Sequence, residues 1–465
     1  MAQSVCYVCN TKVKKNTDRR TAKFNFRKKT FYAVCSRPSV IFTAQTYTAK
    51  PNAILHIFSN RYFEYLLRTK KGGECQLKSK RKMFDFKSYT ENLWSLFSSA
   101  SEFTVGANTD IYRFRFEQAL GAEQINALQK GLPVFDYADI RDEQVSENRG
   151  FTYNIFVPHG CGEHFDRATI LLHGLNERSW AKYLAWADRL AYQTRRPVIL
   201  FPLAFHMNRT PADWYNPRRT LLWHKLRSAS NPENSEASFA NVTLSARISD
   251  APYRFYTSGI ESCYNLSQLL AQIERGDHSL FRKGSRCDLF GYSIGAMAAQ
   301  VMMLANPDGL LDESRLFIFM GGSSFNKMNG LAKNILDGSS FEALHSYYGN
   351  IFINSTPSTG VGSEFDHAFR LLLRPDHLRE EREKRLAALG ERVHIITMRH
   401  DKVMTTDGAT CLYPIELGKR VIEERDFPFE YSHQAPFPSG TQSNNPEVIS
   451  SFNSIFDSAT EFLLA

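Results

Sequence analysis

The sequence has 465 residues, of which 43% are hydrophobic, and a formal net charge of +9. That length suits one large domain with insertions or two to three average domains, each with a sizeable core. No apolar run approaches the roughly 18 residues of a membrane helix, and no secretory hydrophobic segment is found. The sequence thus excludes a spanning helix, and its eight scattered cysteines favour a reducing compartment, by default the cytoplasm, over a disulfide scaffold.

The net positive charge comes entirely from residues 1–82, which hold 19 of the 57 Lys and Arg residues but only 3 of the 48 acidic ones. This segment lacks helical or alternating periodicity, so we expect an extension that is disordered or foreign to a native protein starting at Met83. The alternatives are a nucleic-acid-binding arm, a targeting peptide or a zinc site built on Cys6-x-x-Cys9. Nucleic acid is not an expected partner, and could bind only through this segment.

From residue 83 onward, strand and helix patterns alternate, first in a lead-in over 83–149 and then in a domain over 150–465. The predicted strands, in chain order, are 153–157, 168–172, 197–202, 287–290, 316–320, 393–398 and 427–431. The predicted helices are 180–194, 258–274 and 296–305, the second opening with a capping box of Ser258 and Glu261. The alternation predicts an α/β fold with a mainly parallel central sheet flanked by helices.

Two insertions interrupt this alternation. Residues 203–257 are aromatic and basic, and their rings Trp214, Tyr215 and Trp223 either line the entrance to a site or pack within the insertion. Residues 326–389 are predicted to be helical, with a charged last helix that Gly390 would cap. The charge run is typical of a solvated helix face rather than of a binding patch.

The stretch DLFGYSIGAMAAQ places Ser293 between Gly291 and Gly295, directly after a strand and before a helix. A G-x-S-x-G string alone is weak evidence, but this context is typical of a nucleophile elbow. In such an elbow a strained turn presents the serine hydroxyl above the sheet, and small neighbours leave it room. The alternative is an ordinary packed corner.

A serine nucleophile needs a base, which a carboxylate in turn orients. The order expected for this architecture is serine, acid, histidine. Asp401 follows the strand 393–398 closely and is favoured as the acid, with Asp407 as the alternative; the adjacent His400 is expected to be a loop residue. Downstream of Asp401 the sequence has one histidine only, His433, which is therefore the predicted base.

The tetrahedral intermediate of acyl transfer also needs hydrogen-bond donors for its oxyanion. After the strand 168–172 the chain continues as His173-Gly174-Leu175. Gly174 would let the backbone turn an N–H into the cleft, so we predict that the amides of Leu175 and Ile294 form the oxyanion hole. The alternative is an ordinary turn.

Taken in order, LLHGLNE, GYSIG, HDKVM and SHQAPFP resemble the motifs of the α/β-hydrolase superfamily over residues 150–460, and an uncharacterised bacterial branch of it. The resemblance implies the α/β-hydrolase fold, a catalytic triad of Ser293, Asp401 and His433, and a lid at 326–389. One departure concerns the acid, because many members carry a glycine shortly before it where this sequence has Arg399-His400.

These features predict a serine hydrolase that cleaves a carboxylic ester or related acyl compound, a small-molecule substrate, through an acyl-enzyme. A peptidase, a thioesterase or an acyltransferase would use the same triad, and a non-catalytic binding or sensor protein is the alternative from another class. No cofactor is implied, and no H-E-x-x-H or phosphate-binding glycine motif points to a metal or nucleotide.

Overall fold

The computed structural model of the protein describes residues 85–99, 102–359 and 362–465, and four short strands before them. These strands are β1 (Val5–Cys6), β2 (Thr11–Lys12), β3 (Thr21–Phe26) and β4 (Lys29–Val34). They form two antiparallel pairs, β1 with β2 and β3 with β4. The other residues before Asp85 lie outside the described part of the chain. The predictions of a disordered or foreign extension, a nucleic-acid arm, a targeting peptide, a Cys6-x-x-Cys9 zinc site and a start at Met83 therefore stay predictions.

The unit Asp85–Ala465 is built from alternating strands and helices. Its strands are β5 (Phe103–Val105), β6 (Thr109–Glu117), β7 (Gly150–Pro158), β8 (Phe165–Leu172), β9 (Val198–Leu200), β10 (Phe281–Ser293), β11 (Leu316–Gly321), β12 (Val393–Met398) and β13 (Ile422–Arg425). Its α-helices are α1 (Phe86–Ser98), α2 (Ala122–Leu128), α3 (Ser146–Arg149), α4 (Ala181–Thr194), α5 (Pro217–Ser230), α6 (Val242–Asp250), α7 (Arg254–Arg275), α8 (Ile294–Ala305), α9 (Gly338–Ser346), α10 (Ser363–Leu371), α11 (Arg379–Leu389), α12 (Thr406–Thr410), α13 (Ile415–Val421) and α14 (Pro446–Leu464).

The nine strands form one mixed sheet in the order β13-β12-β11-β10-β8-β9-β7-β6-β5. The pairs from β13 to β9 are parallel, and the pairs from β9 to β5 are antiparallel. This is the topology of the α/β-hydrolase fold, so the predicted fold class is confirmed. Because β8, β10 and β12 are parallel, their carboxyl ends meet at one edge of the sheet, which is where such sheets place their sites.

Helices cover both faces of the sheet, and long parts of the central strands are therefore buried on both sides. All six residues of β11 are buried, as are the last seven of β10. Along β10, Leu289 packs into the core formed with α7 and α8, and Phe290 into the core formed with α4 and α14. This alternation at a period of two is what a strand buried on both sides requires.

The last predicted strand is wrong, because residues 427–431 form no regular element and the edge strand is β13. β13 pairs with β12 alone, so its polar sequence IEER can remain partly exposed at the edge of the sheet. The aromatic residues after it pack on one another instead: the rings of Phe427 and Tyr431 lie 5.2 Å apart between centroids.

Helix α7 begins four residues before its predicted start, and the predicted capping box is absent. Ser258 lies inside the helix, and the carboxylate of Glu261 accepts a hydrogen bond from Asn148 Nδ2 at 2.6 Å instead of reaching back to cap it. The helix opens at Arg254, whose buried guanidinium donates to Asp142 at 3.2 Å. That contact joins segments more than 100 residues apart, which no local pattern reveals.

Both predicted insertions contain helices. Residues 203–257 hold α5 and α6, and residues 326–389 hold α9, α10 and α11. As predicted, α11 ends at Leu389 and Gly390 caps it, with the positive φ of 56° that glycine accommodates. Among the described residues, no helix has both the length and the apolar character that crossing a membrane demands.

Candidate active site

Ser293 occupies a strained turn between β10 and α8. Its backbone has φ 56° and ψ −126°, a conformation that costs a residue with a side chain about 1–3 kcal/mol. The pairing of β10 with β11 shifts register between Tyr292 and Ser293, so the strand breaks off at the serine. The strand–turn–helix geometry is that of a nucleophile elbow.

The two glycines of the motif are required by space. A Cβ on Gly291 would lie 2.5 Å from Ala296 Cα, and a Cβ on Gly295 would lie 2.5 Å from the carbonyl oxygen of Leu172. Both distances are far inside van der Waals contact, and both partners are backbone atoms that cannot swing away. Glycine is therefore needed on each side of Ser293.

We expect the substitution Gly295→Ala to destabilise the protein by about 1–3 kcal/mol, because the added methyl group forces β8 and α8 apart. The measurement is the midpoint of urea unfolding. The control is Gly259→Ala, at a helical position where a Cβ meets nothing within 4 Å and where alanine should stabilise by about 0.5–1 kcal/mol. A variant G295A as stable as the wild type would contradict the steric argument.

The three residues predicted as a triad come together in one hydrogen-bonded chain. His433 Nδ1 lies 2.8 Å from Asp401 Oδ2, and His433 Nε2 lies 2.7 Å from Ser293 Oγ. Because a carboxylate can only accept, Nδ1 carries the imidazole proton, and Nε2 accepts from the serine hydroxyl. All three residues are 4% exposed, so water does not compete freely for these contacts.

The structure places the two candidate acids differently. Asp401 Oδ1 accepts hydrogen bonds from the amides of Val403 at 2.8 Å and Met404 at 3.1 Å, which leaves Oδ2 for His433. Asp407 instead contacts Lys327 at 3.1 Å, with 74% of its side chain exposed. His400 is an exposed loop residue, as expected, and lies 3.4 Å from Asp426.

The loop over residues 173–177, here called the oxyanion loop after its predicted role, follows β8 and is fixed by a buried imidazole. The amide of Leu203 donates to His173 Nε2 at 3.0 Å, so Nδ1 carries the proton and donates to the Gly174 carbonyl oxygen at 2.9 Å. Burial lowers the pKa of His173 well below its ordinary value, which keeps the ring neutral in this role. In a trans peptide the N–H points opposite to the C=O, so holding the Gly174 carbonyl also orients the Leu175 amide.

Leu175, Ser293 and Ile294 line one cavity, here called the serine pocket. Ile294 is the first residue of α8, where backbone N–H groups lack a partner within the helix and the helix dipole is positive. The other lining residues are Phe255, Phe325, Met328, Gly330, Ile335, Leu336, Phe341, Leu344, His345, Val403 and Met404.

The serine pocket is apolar and uncharged. Seven of its side chains come from Phe325 and the insertion that follows it, and no Lys, Arg, Asp or Glu is among its lining residues. His345 is the lining residue that can gain a charge by taking up a proton. Its ring stacks on that of Phe325 with 5.3 Å between centroids, and burial lowers its pKa. A neutral imidazole keeps the pocket free of charge at pH 7.

A second cavity, the neighbouring pocket, shares Leu175 and Phe255 with the serine pocket. Trp214 and Tyr215 line it. Trp223 does not; it is buried and packs against the ring of Phe135 at 5.8 Å. The aromatic insertion therefore both lines a cavity and packs against Phe135 of the preceding segment.

Sequence analysis missed a group of polar residues that contacts the oxyanion loop. Tyr183 and Lys182, in the first turn of α4, hydrogen-bond to Gly174 and to Glu177. Glu177 stands in the quoted motif LLHGLNE, but nothing in its local pattern marks it as a partner of α4. Separately, no cluster of three or more His, Cys, Asp or Glu side chains suited to a metal ion occurs among the described residues.

The fold and the turn at Ser293 place this chain among proteins with the α/β-hydrolase fold. More narrowly, the chain belongs to a family of unknown function, DUF6051, whose model matches residues 83–464. No curated protein matches the sequence.

Several solved structures are similar at low identity. One is the PEG-bound complex of a cold-adapted esterase from an Arctic intertidal metagenomic library, with 11% identity, 78% of this chain and 96% of that chain covered, and a TM-score of 0.34. Carboxyl esterase 2 from the fungus Tuber melanosporum has 10% identity, coverages of 79% and 88%, and a TM-score of 0.37. The peroxisomal alpha-beta-hydrolase Lpx1 from Saccharomyces cerevisiae has 10% identity, coverages of 77% and 90%, and a TM-score of 0.35. Likeness this distant says nothing about the substrate of this chain.

Proposed function

We propose that this protein is a serine hydrolase that cleaves carboxylic esters through an acyl-enzyme, with Ser293, His433 and Asp401 as its triad. The observation that carries the proposal is the buried chain of two hydrogen bonds, 2.7 and 2.8 Å long, from a strained serine through an imidazole to a carboxylate. Each part is at the carboxyl edge of a parallel sheet, and a serine placed this way has the base that it needs at pH 7.

In the first half of the reaction, Ser293 Oγ attacks the ester carbonyl carbon while its proton passes to His433 Nε2. The carbonyl oxygen becomes an oxyanion, which accepts hydrogen bonds from the amides of Leu175 and Ile294. The tetrahedral intermediate then breaks the bond to the alcohol oxygen, and His433 returns the proton to that oxygen as the alcohol leaves. Asp401 stabilises the imidazolium that exists between these two events.

In the second half, water replaces the alcohol and attacks the acyl-enzyme. His433 takes a proton from the water, the same two amides hold the second oxyanion, and collapse of the intermediate releases the carboxylic acid. Ser293 Oγ recovers its proton from His433, which closes the cycle. An acyltransferase would differ only in using another nucleophile in place of water.

The serine pocket favours esters whose acyl group is apolar and uncharged. A carboxylate brought into a cavity without a cation loses hydration worth several kcal/mol and gains no partner. We therefore expect p-nitrophenyl 4-methylpentanoate to be hydrolysed with a kcat/KM at least about 100-fold above that of p-nitrophenyl hemisuccinate. The two acyl groups have the same shape and differ in charge, and equal kcat/KM values would contradict this assignment of the pocket.

The test of the proposed function is labelling with a fluorophosphonate, which reacts with serine only when the serine is activated by its base. We expect stoichiometric labelling of the native protein, with the adduct on Ser293 by peptide mass spectrometry, and none after heat denaturation. Absence of labelling in the native protein, together with no hydrolysis of p-nitrophenyl esters of graded acyl length, would overturn the proposal in favour of a binding or sensor protein.

A further inference from the structure

The oxyanion loop is fastened to the first turn of α4 by Tyr183. The Gly174 amide donates to the Tyr183 hydroxyl at 2.9 Å, and that hydroxyl lies 3.0 Å from Glu177 Oε1. Because a carboxylate only accepts, the phenolic proton points to Glu177, and the lone pairs of Oη remain for Gly174. Burial and the nearby Glu177 raise the pKa of Tyr183 well above its usual value, so the hydroxyl keeps its proton.

The neighbouring Lys182 reaches a second loop. Its ammonium donates to Glu177 Oε1 and also to the carbonyl oxygen of Gln434 at 3.1 Å. Gln434 directly follows His433, so one side chain of α4 connects the oxyanion loop with the loop that carries the imidazole. The ammonium also lies 4.6 Å from the centre of the Tyr292 ring.

Tyr292 completes the connection from the other side. Its hydroxyl donates to the backbone carbonyl of His433, and its ring stacks on the His433 imidazole with 5.5 Å between centroids. Tyr292 directly precedes Ser293 in β10. The histidine loop is thus held both by the strand that ends at the serine and by Lys182 of α4.

We propose that Tyr183, Glu177 and Lys182 are positioning residues that hold the oxyanion loop and the histidine loop in one fixed arrangement around Ser293. This inference rests on the proposed hydrolase function, and it adds three residues that act on the reaction through Gly174 and Gln434 rather than by touching the substrate. Neither loop belongs to a helix or strand, so side-chain contacts must supply the precision that regular structure does not.

Such precision matters because the two halves of the site act on one reacting carbonyl group. The amides of the oxyanion hole must meet the oxyanion while the imidazole meets the serine hydroxyl, and a displacement of about 1 Å costs about 100-fold in rate. Loops that drift independently would satisfy one requirement at a time. A shared anchor in α4 keeps both satisfied together.

The test uses three conservative variants of the full chain: Tyr183→Phe, Glu177→Gln and Lys182→Met. For Tyr183→Phe and Lys182→Met we expect kcat for p-nitrophenyl esters to fall about 10- to 100-fold, with KM changed less than about threefold, because neither side chain lines the serine pocket. The double variant Tyr183→Phe/Glu177→Gln should lose no more than its worse parent, since both belong to one chain of hydrogen bonds.

The matched control is Tyr153→Phe, which removes another buried hydroxyl, one that lies 3.0 Å from His278 Nε2 and contacts neither loop. We expect it to lower the unfolding midpoint by as much as Tyr183→Phe while kcat stays at the wild-type value. Equal kcat values for Tyr183→Phe and the control, or losses that add fully in the double variant, would overturn the inference.

A readout without turnover separates this inference from the proposed function. Amide hydrogen exchange should become faster in peptides covering 173–178 in Tyr183→Phe, and in peptides covering 432–436 in Lys182→Met. Unchanged exchange in both would overturn the inference even if the protein is an active hydrolase. Faster exchange in a protein that neither hydrolyses esters nor reacts with fluorophosphonate would overturn the proposed function and leave the anchoring itself intact.

Discussion

Replacing Ser293 by alanine is expected to lower kcat for p-nitrophenyl esters by about 10⁶-fold and to abolish fluorophosphonate labelling. The substitution removes the atom that forms the acyl-enzyme in the proposed mechanism, and the proposed base and oxyanion hole that remain cannot replace it. Alanine is smaller than serine and introduces no clash, so the free energy of unfolding should stay within about 1 kcal/mol of the wild type. Labelling intensity and initial rates measure the effect.

The matched control for this prediction is Ser314→Ala. Ser314 is fully buried, and its hydroxyl donates to the Cys287 carbonyl at 2.7 Å, in the middle of β10 and six residues before Ser293. We expect this variant to keep full labelling and full activity. If Ser293→Ala retained more than about one-hundredth of the wild-type rate, another residue would have to be the nucleophile.

Replacing Asp401 by asparagine is expected to lower kcat by about 10⁴-fold. The asparagine amide can donate to His433 Nδ1, which favours the tautomer with the proton on Nε2 and so removes the acceptor that Ser293 needs. The loss should appear in kcat, because Asp401 is not itself among the residues that line the serine pocket. The measurement is the initial rate at saturating ester, with fluorophosphonate labelling rate as a second readout.

Asp407→Asn is the control that separates the two acids left open by the sequence. Its carboxylate is mostly exposed and meets only Lys327 among the described residues, so its loss should change kcat less than about twofold. A loss in Asp407→Asn as large as that in Asp401→Asn, or a rate for Asp401→Asn within tenfold of the wild type, would contradict the assignment of Asp401.

The sequence predicted the fold because its signals are local and repeated. Strands β8, β10, β11 and β12 read as apolar runs bounded by turns, and the helices α4 and α8 as amphipathic or small-residue segments, since burial on two faces or on one dictates those patterns. The edge strand β13 was not predicted, because a strand that pairs on one side can stay partly exposed and does not need apolar residues. The aromatic run after it has the higher β propensity but is used for packing.

Two features of the candidate site could be predicted from the sequence: the turn at Ser293 and the order in which the serine, the acid and the histidine follow one another. The turn at Ser293 has a local signature, and the order of serine, acid and histidine left His433 without a competitor downstream of Asp401. The choice of Asp401 over Asp407 rested on loop length alone. Their distances to His433 depend on how β12 and the loop after β13 meet, which is a property of the folded sheet.

The sequence by itself determined the glycines on either side of the strained serine, because the steric needs of that turn fall on neighbouring residues. It also determined the order of the three site residues along the chain. Tertiary structure alone decided which acid meets the imidazole, that the serine pocket carries no charge, and that Glu177, Lys182 and Tyr183 join two loops more than 250 residues apart. Contacts of that kind form between side chains that the folded sheet brings together, so they cannot be predicted from residue spacing along the chain.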